Sequence, residues 1–300
     1  MPAHSSSIWP SLALPWLDRA GRLSWLKLIT LLLLLAPGLY LAGQFYADAL
    51  GPKPITALLH ATGEWAVRIL LFTLAVSPMR RVGNWPRLIL IRRMLGLAVL
   101  AYALIHLGLY VVDQNFALAT VAAEIALRVY LTIGFVALVG LIVLGATSTD
   151  GMIRRLGRRW QRLHGLIYPI AVLGLVHHFL QAKINVSAPL FATGVFLILM
   201  GYRLMHRMRM STGPLALVGL AVAAAGLTAA IEAAWYGLKT GVPASLVLEA
   251  NFDFSYTISP AWWVLGLGGV VALIGLIRGR VPSAGRRTAR VLNPATSRGA

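Results

Sequence analysis

Long apolar runs alternate with short polar segments along the whole chain, which is the pattern of helices that cross a membrane. A membrane-spanning helix needs about 20 predominantly apolar residues. Eight runs approach or meet that length, at roughly 24–42, 57–77, 93–112, 126–146, 164–182, 188–205, 214–235 and 260–277. The pattern therefore predicts an all-α, polytopic membrane bundle of about eight spans.

The composition agrees with this fold class. Of the 300 residues 58% are hydrophobic and only 12% are charged, whereas a soluble globular chain is about 25% charged. Disorder is excluded because it requires low hydrophobicity. No polar stretch between the spans is long enough for a nucleotide-binding domain, so we expect the function to lie mostly within the bilayer.

The charge of the chain indicates orientation rather than a nucleic-acid partner. Lys and Arg number 27 against 9 acidic residues, giving a net charge of +18. Most of the basic residues fall in the two tails and in alternate loops, which is the positive-inside pattern of membrane proteins. This distribution predicts that both termini are cytoplasmic and that the chain binds no nucleic acid.

The spans suggest four consecutive regions. They are a cytoplasmic tail (1–23), a six-helix transmembrane core (24–206), two additional transmembrane helices (207–277) and a basic cytoplasmic tail (278–300). The additional helices enclose an outer loop, 236–259, whose Trp, Tyr and Phe residues are typical of an interfacial aromatic belt.

The absence of cysteine restricts the redox chemistry. With no Cys, the chain cannot hold iron–sulfur clusters, thiolate metal sites or covalently attached c-type haem. A redox cofactor would have to be held by histidine or non-covalently. His4 and His206 lie in a tail and at a helix end, where a surface role is expected; the other histidines are His60, His106, His164, His177 and His178.

Two of these histidines are predicted to lie at the same depth. His106 follows Arg92 by 14 residues and His177 follows His164 by 13, so each lies about 20 Å along an outward-running helix. Two imidazoles facing each other in an apolar bundle are what bis-histidine haem ligation requires. The alternative is that each histidine has a structural role and hydrogen-bonds a neighbouring helix.

The spacing alone does not decide whether His177 or His178 is the histidine that faces His106. On an ideal helix His178 shares the face of His164, but Pro169 lies between them and could shift the register. His164 is predicted at the inner level of the membrane, with Arg92 at a similar height.

Two acid–base pairs near the outer boundary have the i,i+4 spacing with the acid first: Glu64/Arg68 and Glu124/Arg128. Their ordinary role is charge neutralisation. The alternative is that they bind a haem propionate or the head group of a flavin or quinone. His60, also near the outer surface, is a candidate quinone-site or partner-docking residue.

At these positions the chain resembles the haem-binding membrane subunits of the periplasmic protein-methionine-sulfoxide reductase system (the MsrQ or YedZ family), within the ferric-reductase-like transmembrane group. The resemblance covers residues 25–206, and the segment between spans 4 and 5 is its most specific part. The matching text is His60-Ala-Thr-Gly; Ser77-Pro78; Arg92-Arg93-Met-Leu-Gly-Leu; Tyr102-Ala-Leu-Ile-His106; Tyr130-Leu-Thr-Ile-Gly134; Thr147-Ser-Thr-Asp150; Leu156-Gly-Arg-Arg-Trp-Gln-Arg-Leu-His164; Tyr168; His177; and Lys183.

The resemblance implies a b-type cytochrome of the bacterial inner membrane with one or two haems b. It implies that His106 and His177 ligate the outer haem iron and that His164 belongs to an inner haem site. Larger ferric reductases carry a histidine at the level of Arg92, so Arg92 is either an unusual axial ligand or a partner for a propionate or lipid phosphate. Family members are also associated with flavin mononucleotide (FMN).

The implied function is electron transfer. Electrons would come from quinol or from a cytosolic flavin reductase and pass to a periplasmic molybdopterin-containing methionine sulfoxide reductase that repairs oxidised proteins. The catalytic centre would then lie on the partner. The alternatives are a transmembrane ferric or quinone reductase for small molecules, and a small transporter or assembly protein whose histidines relay protons.

Overall fold

The computed structural model describes residues 14–18, 20–182, 185–255 and 257–279, and the regular structure in these ranges is helical. The predictions for residues 1–13, which include His4, and for Lys183, Tyr256 and the tail from 280 fall outside the described residues. The helices are α1 (Trp25–Tyr46), α2 (Pro54–Val82), α3 (Arg92–Asp113), α4 (Leu118–Leu127), α5 (Val129–Ala146), α6 (Asp150–Leu156), α7 (Arg158–His164), α8 (Ile167–Gln181), α9 (Ser187–Arg207), α10 (Pro214–Thr240), α11 (Ala244–Ala250) and α12 (Pro260–Gly279).

The structure confirms the predicted number of spans. Within the described residues, eight helical segments are long and apolar enough to cross a membrane. One of them joins a 3₁₀ helix, Pro86–Ile91, to α3, and another joins α7 to α8. The chain is therefore a multi-pass, all-α membrane protein.

The predicted start of the fourth span, residue 126, is wrong. The backbone of Arg128 is extended (φ −101°, ψ 106°), so α4 ends before it and α5 begins after it. Arg128 thus lies at a helix junction and not inside a span. The Thr132 hydroxyl donates to the Ile125 carbonyl at 2.6 Å and so satisfies a carbonyl near the break. The predicted outer loop before this span also contains the apolar helix α4.

The fifth span also differs from its prediction. It begins at Arg158 rather than at His164, and it breaks between α7 and α8. The break occurs at Gly165 and Leu166, whose amides donate to carbonyls three residues back, as in a 3₁₀ turn. Pro169 lies four residues after Gly165 and has no N–H to bond its carbonyl, so the break lies where the sequence analysis allowed a shift of register.

The loop predicted at 236–259 is shorter and more ordered than expected. Helix α10 continues to Thr240, and α11 lies within the loop. Two of its aromatic residues, Phe252 and Phe254, pack against Trp262, at 6.0 and 5.7 Å between ring centroids. The Trp262 indole also donates to the Asn251 carbonyl at 2.8 Å.

The spans pack as two helix pairs with further helices around them. Helix α2 packs along α3 and helix α5 along α8, and these four helices share one apolar core with parts of α1 and α9. Helices α10 and α12 pack on each other and on α9. Small residues permit the close approach: an added Cβ on Gly268 would lie 2.3 Å from Ala221 Cβ.

A proline kink fixes α1 to the helix that carries His106. Pro37 interrupts α1, and the Tyr102 hydroxyl from α3 lies in the interrupted ladder. The Tyr102 hydroxyl accepts a hydrogen bond from the Gly38 amide at 3.0 Å and donates one to the Leu34 carbonyl at 2.8 Å, so it stands between two main-chain groups of α1. A side chain inserted in this way satisfies main-chain groups that have no water to bind within a membrane.

Candidate functional site

The structure brings His106 of α3 and His177 of α8 together. Their ring centroids lie 6.3 Å apart, and the ring planes are nearly perpendicular, at 85°. The two side chains that the sequence analysis expected to face each other are therefore neighbours in the structure.

Each of the two rings is held in the same way by the backbone of a neighbouring helix. His106 Nδ1 lies 2.8 Å from the Leu59 carbonyl oxygen, and His177 Nδ1 lies 2.7 Å from that of Tyr130. A carbonyl oxygen can only accept, so we assign the ring proton to Nδ1 in both histidines. Each Nε2 then presents its lone pair, which is the usual arrangement of a metal-ligating histidine.

Two glycines make room for the rings. An added Cβ on Gly63 would lie 2.9 Å from His106 Nδ1, and one on Gly134 would lie 2.6 Å from His177 Nδ1. Cβ atoms do not normally approach other atoms so closely, so both positions need glycine if the rings are to stay in place. Glycine here serves close packing, since neither residue has a positive φ.

A cavity of about 460 Å³ surrounds the two histidines. Its walls are mainly apolar, and its outer rim is polar. The apolar lining includes Leu59, Val67, Leu70, Val99, Leu107, Phe135, Leu138, Leu141 and Ile170, and the polar lining includes Thr56, His60, Glu64, Tyr110, Asp113, Tyr130, Gln181 and Asn185. Such a lining suits a flat apolar cofactor that carries polar substituents at one edge.

The separation of the rings fits a single metal ion shared between them. Imidazole nitrogen binds metals at about 2.0 Å, so two rings on opposite sides of one ion have centroids about 6.2 Å apart. The observed separation is 6.3 Å. The residues present therefore fit bis-histidine coordination of a haem iron, the group that the sequence analysis expected at this depth.

His178 occupies a different position from His177. It also lines the cavity, but its Nδ1 is buried and has no hydrogen-bond partner among the described residues. The helical phase that favoured His178 was counted from His164, and that count does not carry across the break at Gly165 and Leu166.

The inner residues His164 and Arg92 are arranged differently from the outer pair of histidines. His164 Nε2 lies 3.1 Å from the Thr147 hydroxyl, and the Trp160 ring stacks on the imidazole with 4.0 Å between centroids. The Trp160 indole donates to the Thr147 carbonyl at 2.9 Å. Arg92 lies within electrostatic range of His164. Neither His164 nor Arg92 lines the cavity around His106 and His177.

Arg128 is linked to the outer site through Tyr130. Its guanidinium donates to the Tyr130 hydroxyl at 3.2 Å and to the Glu124 carboxylate at 2.9 Å. These contacts, with the tyrosine making the larger contribution, raise the pKa of Arg128 above its ordinary value. The main-chain carbonyl of the same Tyr130 holds His177, so this network joins the α4–α5 junction to the outer pair.

The second predicted ion pair also forms. Arg68 contacts Glu64 at 2.6 Å and lies over the Trp65 ring at 5.0 Å. Both charged side chains are partly exposed, which agrees with charge neutralisation near a boundary. His60 is exposed and lines the same cavity as the two rings.

Sequence reasoning missed the groups that hold the two rings. Leu59, Gly63, Tyr130 and Gly134 act through a carbonyl or through a missing side chain, which no catalytic motif marks. A signal was nevertheless present in the numbering. Each histidine has one carbonyl and one glycine beside it, and the group around His177 follows the group around His106 at a constant offset of 71 positions: 59 to 130, 63 to 134 and 106 to 177. This constant offset reflects the similar packing of α2 with α3 and of α5 with α8.

The fold and the facing histidines define a class of membrane protein, and comparison with known proteins specifies it. The family model described as ferric reductase like transmembrane component matches residues 62–175, a range that includes His106 and ends two residues before His177. This part of the chain is thus similar to the transmembrane component of ferric reductases.

Curated relatives narrow the class to one family. The protein-methionine-sulfoxide reductase heme-binding subunits MsrQ of Xanthomonas campestris pv. campestris (strain B100), Azospira oryzae and Rhodospirillum rubrum are 41%, 38% and 39% identical to this chain. The alignments cover 58%, 64% and 64% of this chain and 83%, 84% and 91% of the relatives. The chain therefore belongs to the MsrQ family. No solved structure matches it.

Proposed function

We propose that this chain is the haem b-binding electron-transfer subunit of a protein-methionine-sulfoxide reductase system. The observation that carries the proposal is the facing pair His106 and His177, with both Nε2 atoms free and 6.3 Å between ring centroids. The relatives are heme-binding subunits by name, and the residues here fit that cofactor.

In this proposal His106 and His177 bind the iron of an outer haem. A bound haem iron supplies reversible one-electron transfer. The Leu59 and Tyr130 carbonyls fix the two ring orientations, and the apolar walls exclude water from the metal. His60 at the rim, and Arg128, which bonds the rim residue Tyr130, are candidate partners for the polar substituents of the haem or for a quinone.

His164 belongs to an inner site in the same proposal, with Arg92 beside it as a ligand or as an anion partner. One haem per site gives two haems in all. The family resemblance supports the inner site, and so does the position of His164 one helix length inward from His177. FMN is a further cofactor proposed from the resemblance.

The proposed direction of electron flow is outward across the bacterial inner membrane, with both termini in the cytoplasm. The distribution of Lys and Arg supports this orientation. Quinol or a cytosolic flavin reductase would donate electrons, and a periplasmic molybdopterin-containing methionine sulfoxide reductase would accept them. The chain itself carries residues for electron transfer, and the two C-terminal spans are an addition to the six-helix core.

Spectroscopy of the purified full-length protein tests the proposal. We expect a b-type absorption spectrum that changes on reduction, with one or two haems per polypeptide, and electron transfer to the purified partner reductase. A preparation that folds and yet contains no haem after haem supplementation would contradict it. Unimpaired repair of methionine sulfoxide in a deletion strain would contradict the assignment of the partner.

A second candidate is favoured by the match to the ferric reductase like transmembrane component. In that case the reduced protein would pass electrons directly to ferric chelates or small quinones. The two candidates are separated by stopped-flow oxidation of the reduced protein. Faster oxidation by the partner reductase than by ferric citrate supports the first, and the reverse order supports the second.

A further inference from the structure

A second cavity lies among the ends of three spans, apart from the cavity around His106 and His177. It has a volume of about 370 Å³ and is formed by the C-terminal ends of α2 and α9 and the N-terminal end of α8. Its lining consists of Ser77, Pro78, Arg81, Tyr168, Met200, Tyr202 and Arg203. Two arginines and two tyrosines beside apolar side chains make it suitable for an anion that is attached to an apolar group.

The position of Arg203 is fixed by a proline in another helix. Pro78 in α2 has no N–H, so the Leu74 carbonyl lacks its usual helical donor. Arg203 Nη2 donates to this carbonyl. Nη1 donates to the Leu199 carbonyl at 2.8 Å, and Nε donates to the Tyr168 hydroxyl at 3.2 Å. The guanidinium is therefore held rigidly at the kink.

The charge of Arg203 is not neutralised by these contacts. Carbonyl and hydroxyl groups accept hydrogen bonds but carry no net negative charge, and no carboxylate pairs with Arg203 or Arg81 among the described residues. A guanidinium has five N–H donors, so the three bonds leave two for a ligand. Arg81 is exposed and contacts the Tyr202 hydroxyl, which is likewise an uncharged partner.

We propose that this cavity binds a phosphate-bearing anion, with Arg203 and Arg81 as its two cationic contacts. Paired guanidinium groups match the geometry of phosphate oxygens. Basic pockets between transmembrane helices at a membrane surface also suit anionic lipid head groups. The same chemistry is offered by the head group of a phospholipid and by a soluble phosphate ester.

The test measures binding to the full-length protein in neutral detergent. The probes are dioleoyl phosphatidylglycerol, dioleoyl phosphatidylcholine as the lipid without net charge, and glycerol 3-phosphate as the soluble ester. We expect phosphatidylglycerol or glycerol 3-phosphate to bind the wild type at least about tenfold more tightly than Arg81→Gln, because a hydrogen bond to a charged group is lost. Arg80→Gln is the matched control, because Arg80 does not line the cavity.

Arg203→Lys is the second variant, since it keeps the charge and loses the planar guanidinium. Its melting temperature is compared with that of the wild type, so that weaker binding is not confused with misfolding. Binding of phosphatidylglycerol without competition by glycerol 3-phosphate assigns the site to a lipid, and competition assigns it to a soluble phosphate. Equal binding by the wild type and Arg81→Gln, equal losses in Arg80→Gln and Arg81→Gln, or binding of neither anionic probe would overturn the proposal. Haem content should not change in any variant, so the result does not depend on the proposed electron-transfer function.

Discussion

The outer and inner histidines differ in which ring nitrogen is available. At the outer pair, main-chain carbonyls occupy Nδ1 of His106 and His177, and Nε2 is free. At the inner site the Thr147 hydroxyl lies 2.8 Å from the Val143 carbonyl oxygen and 3.1 Å from His164 Nε2. With the hydroxyl donating to the carbonyl, we assign the His164 proton to Nε2 and its lone pair to Nδ1, the opposite of the outer pair.

This difference shows which site is preorganised for a metal. The outer rings already have the separation and the free nitrogens that one shared ion requires. The inner ring is stacked on Trp160, and its neighbour Arg92 carries a guanidinium, which has only donors and so is a poor ligand. Binding a metal through Nε2 of His164 would first require the bond to Thr147 to break. We therefore expect tighter and more specific binding at the outer site.

The largest expected effect comes from removing one ring of the outer pair. His106→Ala or His177→Ala should abolish the bis-histidine haem signal of the outer site, because one of the two proposed iron ligands is lost. His178→Ala is the matched control and should retain that signal. Absorption and electron paramagnetic resonance spectra of the purified variants measure the outcome. Loss of the signal in His178→Ala but not in His177→Ala would reverse the assignment.

A smaller effect is expected from the glycines that allow the rings to lie close to the backbone. Gly134→Ala would place a methyl group 2.6 Å from His177 Nδ1, and Gly63→Ala would place one 2.9 Å from His106 Nδ1. Overpacking of this kind costs about 1–3 kcal/mol, so haem affinity at the outer site should fall by about 5- to 150-fold.

The order of the losses in haem affinity caused by the two glycine substitutions is also testable. Gly134→Ala should have the larger effect because its contact is closer. Gly108→Ala, on the same helix as His106, is the control because an added Cβ there has no neighbour within 4 Å. Competition with apomyoglobin measures the three haem affinities. A loss in Gly108→Ala as large as that in Gly134→Ala would show that the effect is not specific to the rings.

The sequence predicted the parts of this site that depend on simple periodicity. The eight spans follow from apolar length, and the meeting of His106 with His177 follows from the rise of 1.5 Å per residue along two helices that run in the same direction. Both quantities vary little with the details of packing. The ion pair Glu64/Arg68 was likewise predictable because its partners are one helical turn apart.

The parts that could not be predicted depend on main-chain groups and on local changes of helical phase. The break at Gly165 and Leu166 lies four residues before Pro169, which marked a possible change of phase but not its size. Without it, the choice between His177 and His178 cannot be made by counting turns. The roles of the Leu59 carbonyl and of the Leu74 carbonyl, which binds Arg203, also cannot be predicted from residue type, since any residue could provide a carbonyl.

The smallest effect is expected at Thr147, where the comparison between the two sites is most direct. Thr147→Val removes the hydroxyl that accepts from His164 Nε2 and keeps the shape of the side chain. A single hydrogen bond contributes about 0.5–1.5 kcal/mol net. If this bond competes with the metal for Nε2, haem retention at the inner site should rise by about two- to tenfold in the variant.

His164→Ala provides the reference for this measurement, because it should lower the haem content by the inner haem alone and leave the spectrum of the outer pair unchanged. Thr147→Val should move the haem content in the opposite direction. A fall in inner-site haem in Thr147→Val would instead show that the hydroxyl holds His164 in its binding orientation. Thr147 would then act for His164 as the Leu59 and Tyr130 carbonyls act for the outer pair, and iron would bind at Nδ1. The difference between the two sites would lie in which nitrogen binds and no longer in how well each site is preorganised.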